Sequence, residues 1–279
     1  MSKQGSLVCV GSGMRLAGQL TPRAKSCIEQ ADVVLAAMAN HLSRQWIKEM
    51  SKEYRCLLDL YGEGGGEGKP RGQTYDEMAE RIMEEVRKGR RVCAVFYGHP
   101  SVFSCISKKA IDLARAEEFP AHIEPGISAA DCLYADLEVD PASAGEQAME
   151  CTQFMIYERR IDPSALLILW QPGVAGDLSM KRFETHQAYI KLLVEKLSQD
   201  YPLDHEVILY EAATSPLEPT RIERLPLAEL PQATLNQITT LVVPPCREMA
   251  ADNAMLDKLQ TLAESVWDEK NRSNGEDDD

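Results

Sequence analysis

Cysteines are never close together in this sequence. They stand at positions 9, 27, 56, 93, 105, 132, 151 and 246, so no CxxC unit exists. That argues against zinc, and the thiols read as small apolar groups in a reducing compartment. The five histidines lack HxxH or HExxH spacing, so nothing supports a metal site. No run of ~18 apolar residues occurs, so no segment reads as a bilayer span. The first residues lack the apolar centre of a signal peptide, and a cytoplasmic chain with no membrane partner is expected. Positive charge is scarce: 30 Lys and Arg stand against 44 Asp and Glu, a net charge of −14. Phosphate backbones repel such a chain, so nucleic acid is not an expected partner. Peptides, cationic groups and small molecules remain.

What is present fits an ordinary globular core. Of the 279 residues, 44% are hydrophobic and 27% charged, enough for one large domain or two medium ones. Up to about residue 125, short apolar runs alternate with amphipathic helices, the signature of βα units. Strands are predicted at Leu7–Val10, Asp32–Ala36, Cys56–Leu60 and Arg91–Phe96. Helices are predicted after Thr21-Pro22, over 39–50, from a Thr74/Glu77 capping box to Lys88 with Gly89 as its stop, and over Ser104–Glu117. Pro120–Pro125 reads as a hinge. Beyond it come a short helix at 127–137, a helix at about 183–199, and strands at 153–157, 165–170, 206–210, 220–225 and 238–243. Fewer helices per strand imply a mixed sheet. The expected organisation is an α/β domain over 1–122, a second over 123–246, and over 247–279 a terminal helix (Met249–Trp267) followed by an acidic disordered tail from Asn271 to Asp279.

Four pieces could carry chemistry, and each has a bland reading beside it. Val10-Gly11-Ser12-Gly13 follows the first strand, where glycines let a ligand approach the backbone. A dinucleotide site would want Gly where Leu16 stands and an acid where Ala36-Ala37 stand, so that reading is poor; a plain tight turn accounts for the piece equally well. Tyr97-Gly98-His99-Pro100 follows the Arg91–Phe96 strand, a good address for a ligand, or else an ordinary βα loop. In Glu124-Pro125-Gly126-Ile127-Ser128-Ala129, Pro-Gly makes a turn and Ser128 can cap a helix, which by itself needs no function. Finally Tyr61 and Arg71 flank the glycine-rich stretch 62–68, and Tyr75 follows. Such a loop can close over a site, although solvated loops with surface tyrosines are common.

Together these pieces resemble the tetrapyrrole methylases: Gly-x-Gly after strand one, a strand ending in Gly-His-Pro where that family usually has Gly-Asp-Pro, then Pro-Gly-Ile-Ser-Ala. Within that fold, Val95 to Phe103, Leu58-Asp59-Leu60-Tyr61, Thr74-Tyr75, Glu124 to Asp131, Ala135-Asp136-Leu137, Trp170-Gln171 and Val243-Pro244-Pro245 are similar to the borosin peptide N-methyltransferases. The blocks keep their order from about residue 6 to 245. The resemblance implies a two-domain α/β fold, with a mostly parallel N-terminal sheet, a mixed C-terminal sheet and S-adenosylmethionine in the cleft between. It implies cofactor contacts from Tyr97, His99, Val102, Phe103, Ser128, Ala129, Gln171, Tyr210, Thr239 and Thr240, and a catalytic set of Tyr61, Arg71, Tyr75 and Tyr97. It also implies a homodimer.

The chemistry makes that set sensible. An amide nitrogen is a poor nucleophile because its lone pair is delocalised into the carbonyl. Tyr75 could act as base or proton relay. Arg71 could favour phenolate and hold the charge that develops on the amide oxygen. Tyr97 and Tyr61 could orient the amide. Fused borosins carry their substrate at the C-terminus, whereas this sequence ends in an acidic tail. A separate precursor peptide, methylated in trans and held in a 2:2 complex, is therefore expected. Alternatives in the same fold are a precorrin-type tetrapyrrole methyltransferase and a ribosomal RNA methyltransferase; His99 weighs against the first and the net charge against the second.

Overall fold

The computed structural model describes residues 5–15, 17–38, 40–62, 69–215 and 218–273. Leu16, most of the glycine-rich stretch (63–68) and the tail after 273 lie outside them. The first lobe contains β1 (Ser6–Gly11), α1 (Pro22–Gln30), β2 (Val33–Ala37), α2 (His41–Met50), β3 (Tyr54–Cys56), α3 (Arg71–Arg87), β4 (Arg91–Phe96), α4 (Cys105–Ala116) and β5 (Ala121–Glu124). Its strands are all parallel, in the order β3-β2-β4-β1-β5. Side chains alternate across the sheet. Leu7, Cys9, Leu35 and Ala94 face α3 and α4, where Met78, Ile82, Ala110 and Ala114 cover them. Val10, Val34, Ala36 and Val95 face α1 and α2, meeting Ala24, Ile28 and Ile47. Apolar burial on both faces is why these strands read as continuous hydrophobic runs.

Local chemistry sets the ends. Thr21 caps α1 by accepting from the Ala24 amide, with Pro22 at the first helical position. Gly89 sits at φ 78° and ends α3, where the bonds from the Gly89 amide to Val86 and from Arg90 to Glu85 close the last turn. The start of α3 corrects the sequence reading. The helix begins at Arg71, not Thr74, and Pro70 precedes it with no side-chain cap. Thr74 is buried inside the first turns, and Glu77 pairs with Lys69 instead of closing a capping box. The strand expected at Cys56–Leu60 also shifts: β3 ends at Cys56 and a 3-10 turn covers Leu58–Tyr61. The hinge expected over 120–125 contains β5, which pairs in register with β1, so the first sheet extends to Glu124.

The second lobe holds α5 (Ala129–Leu137), α6 (Pro141–Ala144), β6 (Glu146–Glu150), α7 (Cys151–Ile156), β7 (Leu166–Trp170), α8 (Gln187–Leu197), β8 (Glu206–Glu211), β9 (Arg221–Pro226), β10 (Thr240–Val243) and α9 (Asn253–Ser273). The sheet order is β6-β7-β10-β8-β9. β6 and β7 are parallel and the other pairs antiparallel, the mixed sheet expected. The strand predicted at 153–157 is instead α7. Glu150 caps it by accepting from the Gln153 amide, and Cys151 and Phe154, three apart, form its buried face. α9 runs to Ser273, past the point where disorder was expected.

One face of this sheet packs on α7 and α8, through Leu167, Leu169, Leu193 and Leu241. The other carries Ile168, Trp170, Tyr210 and Val242 toward α5 and Met14 of the first lobe. That second face forms the seam between the lobes. No helix among the described residues is long and apolar enough to cross a membrane. All eight cysteines are free, and Cys105 is exposed, unlike the buried thiols expected.

Candidate active site

Three of the motifs meet at the carboxyl ends of adjacent strands. Gly11 ends β1, Gly98 follows β4 and Gly126 follows β5. A Cβ on Gly11 would stand 2.3 Å from the Gly98 carbonyl oxygen and 2.8 Å from the Gly126 Cα. A Cβ on Gly126 would stand 2.4 Å from the same oxygen. Only glycine permits backbones this close. Gly13 and Gly98 then exchange backbone hydrogen bonds of 3.2 and 2.9 Å, and Gly98 adopts φ 65°. Each motif had a bland reading in isolation; their convergence makes one rigid floor.

From that floor the β4–α4 loop rises toward the second lobe. The Ser101 amide donates to His99 Nδ1 (3.0 Å) and the Val102 amide to the His99 carbonyl (3.1 Å), fixing a tight turn. Phe103 sits at φ 51°, a costly conformation for an aromatic residue. Its ring lies 5.2 Å from that of Trp170 at the end of β7. Tyr97, Val102 and Phe103 remain exposed at 53%, 37% and 50%, an apolar surface at a strand's carboxyl end. Gln171 follows Trp170 in a left-handed conformation (φ 59°). Thr240 pairs across the sheet with both Trp170 and Tyr210, so the three share one row on the seam face. Tyr210 is buried, its hydroxyl donating to Asp136 at 2.9 Å, and burial with that carboxylate raises its pKa. Thr239 donates to Glu211 at 2.7 Å beneath the sheet end. Ser128 caps α5 in a reciprocal box with Asp131, and Ala129 opens that helix. The polar atoms of Ser128, Tyr210 and Thr239 are thus already engaged within the protein.

The phenols and the arginine also come together. Tyr61 closes the 3-10 turn, Arg71 and Tyr75 lie one turn apart at the start of α3, and Tyr97 follows β4. Burial raises the Tyr61 pKa, Tyr75 and Tyr97 beside it add to the rise, and Arg71 opposes it. Although half of Tyr97 is exposed, the protein packed around it, then Tyr75, raises its pKa. Both are held as neutral phenols. Arg71 is unusual. Its Nε is buried without a hydrogen-bond partner, and among the described residues no carboxylate forms an ion pair with it. It also stands at a helix N-terminus, where the helix dipole disfavours a cation. A charge kept unneutralised at such a place can serve a ligand.

Sequence reading missed the second lobe's contribution to this cluster. The segment after Gly176 brings the Met180 carbonyl to the Arg71 amide (2.9 Å) and the Phe183 ring under the Arg71 guanidinium (5.6 Å). Phe183 also meets Tyr61 edge-on, with centroids 5.7 Å apart and planes at 76°. Asp177-x-Ser179 is a turn signal that marks this loop, but nothing in the spacing points it at Arg71.

The family model described as Tetrapyrrole (Corrin/Porphyrin) Methylases matches residues 6–231. The methyltransferase/precursor of the cyclic peptide omphalotin A from Omphalotus olearius is 34% identical over 97% of this chain and 65% of its own length. A type I borosin methyltransferase/precursor from Coprinopsis marcescibilis is 37% identical over 93% of this chain and 67% of its own length. That for the gymnopeptides of Gymnopus fusipes is 35% identical over 93% of this chain, which spans 62% of that relative. Among solved structures, uroporphyrin-III-C-methyltransferase from Thermus thermophilus superposes with a TM-score of 0.60 at 20% identity, covering 87% of this chain and 93% of that one. At that identity the likeness speaks for the fold alone.

Proposed function

The chain belongs to the tetrapyrrole methylases, and from that premise we propose that it is an S-adenosylmethionine-dependent methyltransferase acting on backbone amide nitrogens of a peptide. The observation that carries the substrate reading is Arg71, with no ion-pair partner among the described residues, beside Tyr61, Tyr75 and Tyr97. The relatives' names, which join a methyltransferase to a cyclic-peptide precursor, support it.

The seam fits the donor. Exposed Tyr97, Val102 and Phe103 offer an apolar surface, and the Phe103 ring meets Trp170, whose buried Nε1 has no partner among the described residues; Gln171 follows Trp170 in the chain, and His99 lies in the same turn as Phe103. Adenosylmethionine, when bound, supplies an electrophilic methyl group and leaves as a neutral thioether. The chain's own residues must make the amide nitrogen nucleophilic. Tyr75 acts as a proton relay, accepting the N–H proton as the N–C bond forms while its own hydroxyl proton passes to solvent. Arg71 donates to the amide oxygen and stabilises the imidate charge that grows there. Among the described residues no carboxylate pairs with it, so its charge is available to the amide oxygen. Tyr61 and Tyr97, held neutral, donate hydrogen bonds that orient the peptide plane.

The proposal includes a separate precursor methylated in trans, and a homodimer. α9 presents Met255, Leu256 and Leu259 exposed, a surface suited to a second copy. Light scattering reads the dimer directly. Co-expression with a neighbouring short open reading frame, followed by mass spectrometry of both polypeptides, tests activity and location together. Methyl groups on the partner peptide support action in trans. A peptide left unmodified while adenosylmethionine is consumed on a tetrapyrrole would overturn the substrate reading.

A further inference from the structure

Arg71 needs something to hold it. A cation at the first position of α3 faces the positive end of the helix dipole, its Nε is buried without a partner, and among the described residues no carboxylate pairs with it. Left to itself, so long a side chain would sample many rotamers. What meets its charged head is the Phe183 ring, 5.6 Å from the guanidinium carbon to the ring centroid, within cation–π range. The identity of that partner matters. A carboxylate would occupy the guanidinium donors and cancel the charge. An aromatic face attracts the cation through its quadrupole and leaves the N–H groups free. The same ring packs edge-on against Tyr61, so one side chain touches two members of the cluster.

The loop that presents Phe183 is itself fixed. Asp177 Oδ1 accepts from the Ser179 amide (3.0 Å) and hydroxyl (2.5 Å), and Oδ2 from the amides of Lys181 (2.9 Å) and Arg182 (2.8 Å). Burial works against the ionised carboxyl, but the Ser179 hydroxyl and the Arg182, Ser179 and Lys181 amides outweigh it and hold the pKa at about 2. Within this knot Met180 adopts φ 55°, and its carbonyl accepts from the Arg71 amide. That bond satisfies one of the free donors at the start of α3. The second lobe therefore grips Arg71 at both ends, backbone and guanidinium.

We infer that Phe183 is a positioning residue for methyl transfer, setting the Arg71 guanidinium and Tyr61 without neutralising the arginine. The inference rests on Arg71 acting as the charge stabiliser proposed above. Its test compares Phe183→Leu, which removes the aromatic face, with Phe183→Tyr, which keeps it. With the peptide that co-expression identifies as substrate, Phe183→Leu lowers kcat by roughly three- to thirtyfold, the range a lost cation–π contact supports. Adenosylmethionine affinity by calorimetry stays within about twofold of wild type. Phe183→Tyr restores most of the rate. Equal impairment of both variants, or a Phe183→Leu enzyme as fast as wild type, overturns the inference.

A second readout needs no turnover. The Arg71 Nε–H resonance, identified by its loss in Arg71→Lys, lies upfield through the ring current of Phe183. It moves downfield in Phe183→Leu and stays in Phe183→Tyr; a resonance unmoved in Phe183→Leu overturns the inference. If the wild-type chain methylates no peptide, the functional reading fails and this resonance alone decides the contact. If Phe183→Leu does not fold, Phe183→Met takes its place with the same two outcomes.

Discussion

Replacing Gly126 by alanine puts a methyl group where the structure has no room. Its Cβ would lie 2.4 Å from the Gly98 carbonyl oxygen, 2.7 Å from the Gly11 Cα and 3.0 Å from the Gly11 carbonyl carbon. All of these are backbone atoms, so no side chain can swing aside. Relief requires about 1 Å of separation between the ends of β1, β4 and β5, which the sheet and the Gly13–Gly98 bridge resist. Overpacking of this kind costs about 1–3 kcal/mol, here toward the upper end. Gly72 is the internal control. A Cβ there meets nothing within 4 Å and the residue lies in α3, so Gly72→Ala should stabilise by about 0.5–1 kcal/mol. The assay is urea unfolding of both variants with wild type, paired with calorimetry of adenosylmethionine. Gly126→Ala should unfold at lower denaturant and bind the donor at least about tenfold more weakly, because the displaced strand ends carry Tyr97 and His99. A Gly126→Ala protein of wild-type stability and affinity would refute the reading of this junction as a rigid floor.

Arg71→Ala and Tyr75→Phe should each lower kcat for peptide methylation by about a hundredfold or more while donor affinity holds, as measured by single-turnover mass spectrometry and calorimetry. Asp177→Asn loosens the loop that carries Phe183 and should lower kcat without changing donor affinity. Because the folded-state pKa of Asp177 is depressed, to about 2, its contribution to stability is present above the ordinary carboxylate range and is lost as pH falls through about 2. The Asn variant should therefore show a shallower loss of stability between about pH 4 and 2 in acid unfolding. Glu85 is fully buried and binds Arg55 (2.8 Å), Lys88 (2.6 Å) and Arg90 (2.8 Å). Burial opposes its ionisation, but Lys88, Arg90 and Arg55 together hold its pKa below the usual value. Glu85→Gln should cost about 1–3 kcal/mol at neutral pH in urea unfolding, with the difference from wild type shrinking as pH falls below the carboxylate range.

Much of the first lobe was legible because its signals are local. Thr21-Pro22 and Gly89 mark helix ends through their own backbone preferences, and strands buried on both faces leave continuous apolar runs. The Gly11, Gly98 and Gly126 motifs were readable as candidates, yet only the parallel order β4-β1-β5 explains why they touch. The misreadings have physical causes. Thr74 looked like a helix cap because Glu77 stands three residues on, but docking of the Arg71 amide on Met180 starts α3 earlier. Residues 153–157 are apolar enough for a strand, while the Glu150 cap and the spacing of Cys151 and Phe154 favour a helix. Phe183 was invisible because its role depends on a contact between lobes far apart in the chain. No local pattern encodes that a ring on an Asp-knotted turn will lie under an arginine.

The central claim is tested most directly by incubating the purified chain with adenosylmethionine and the candidate precursor peptide, then locating any added methyl group by fragmentation mass spectrometry. The account requires a gain of one methylene per event, placed on a backbone nitrogen and lost when Tyr75 or Arg71 is replaced. Methyl groups found only on side chains, or a backbone product that survives both replacements in folded protein, would contradict it.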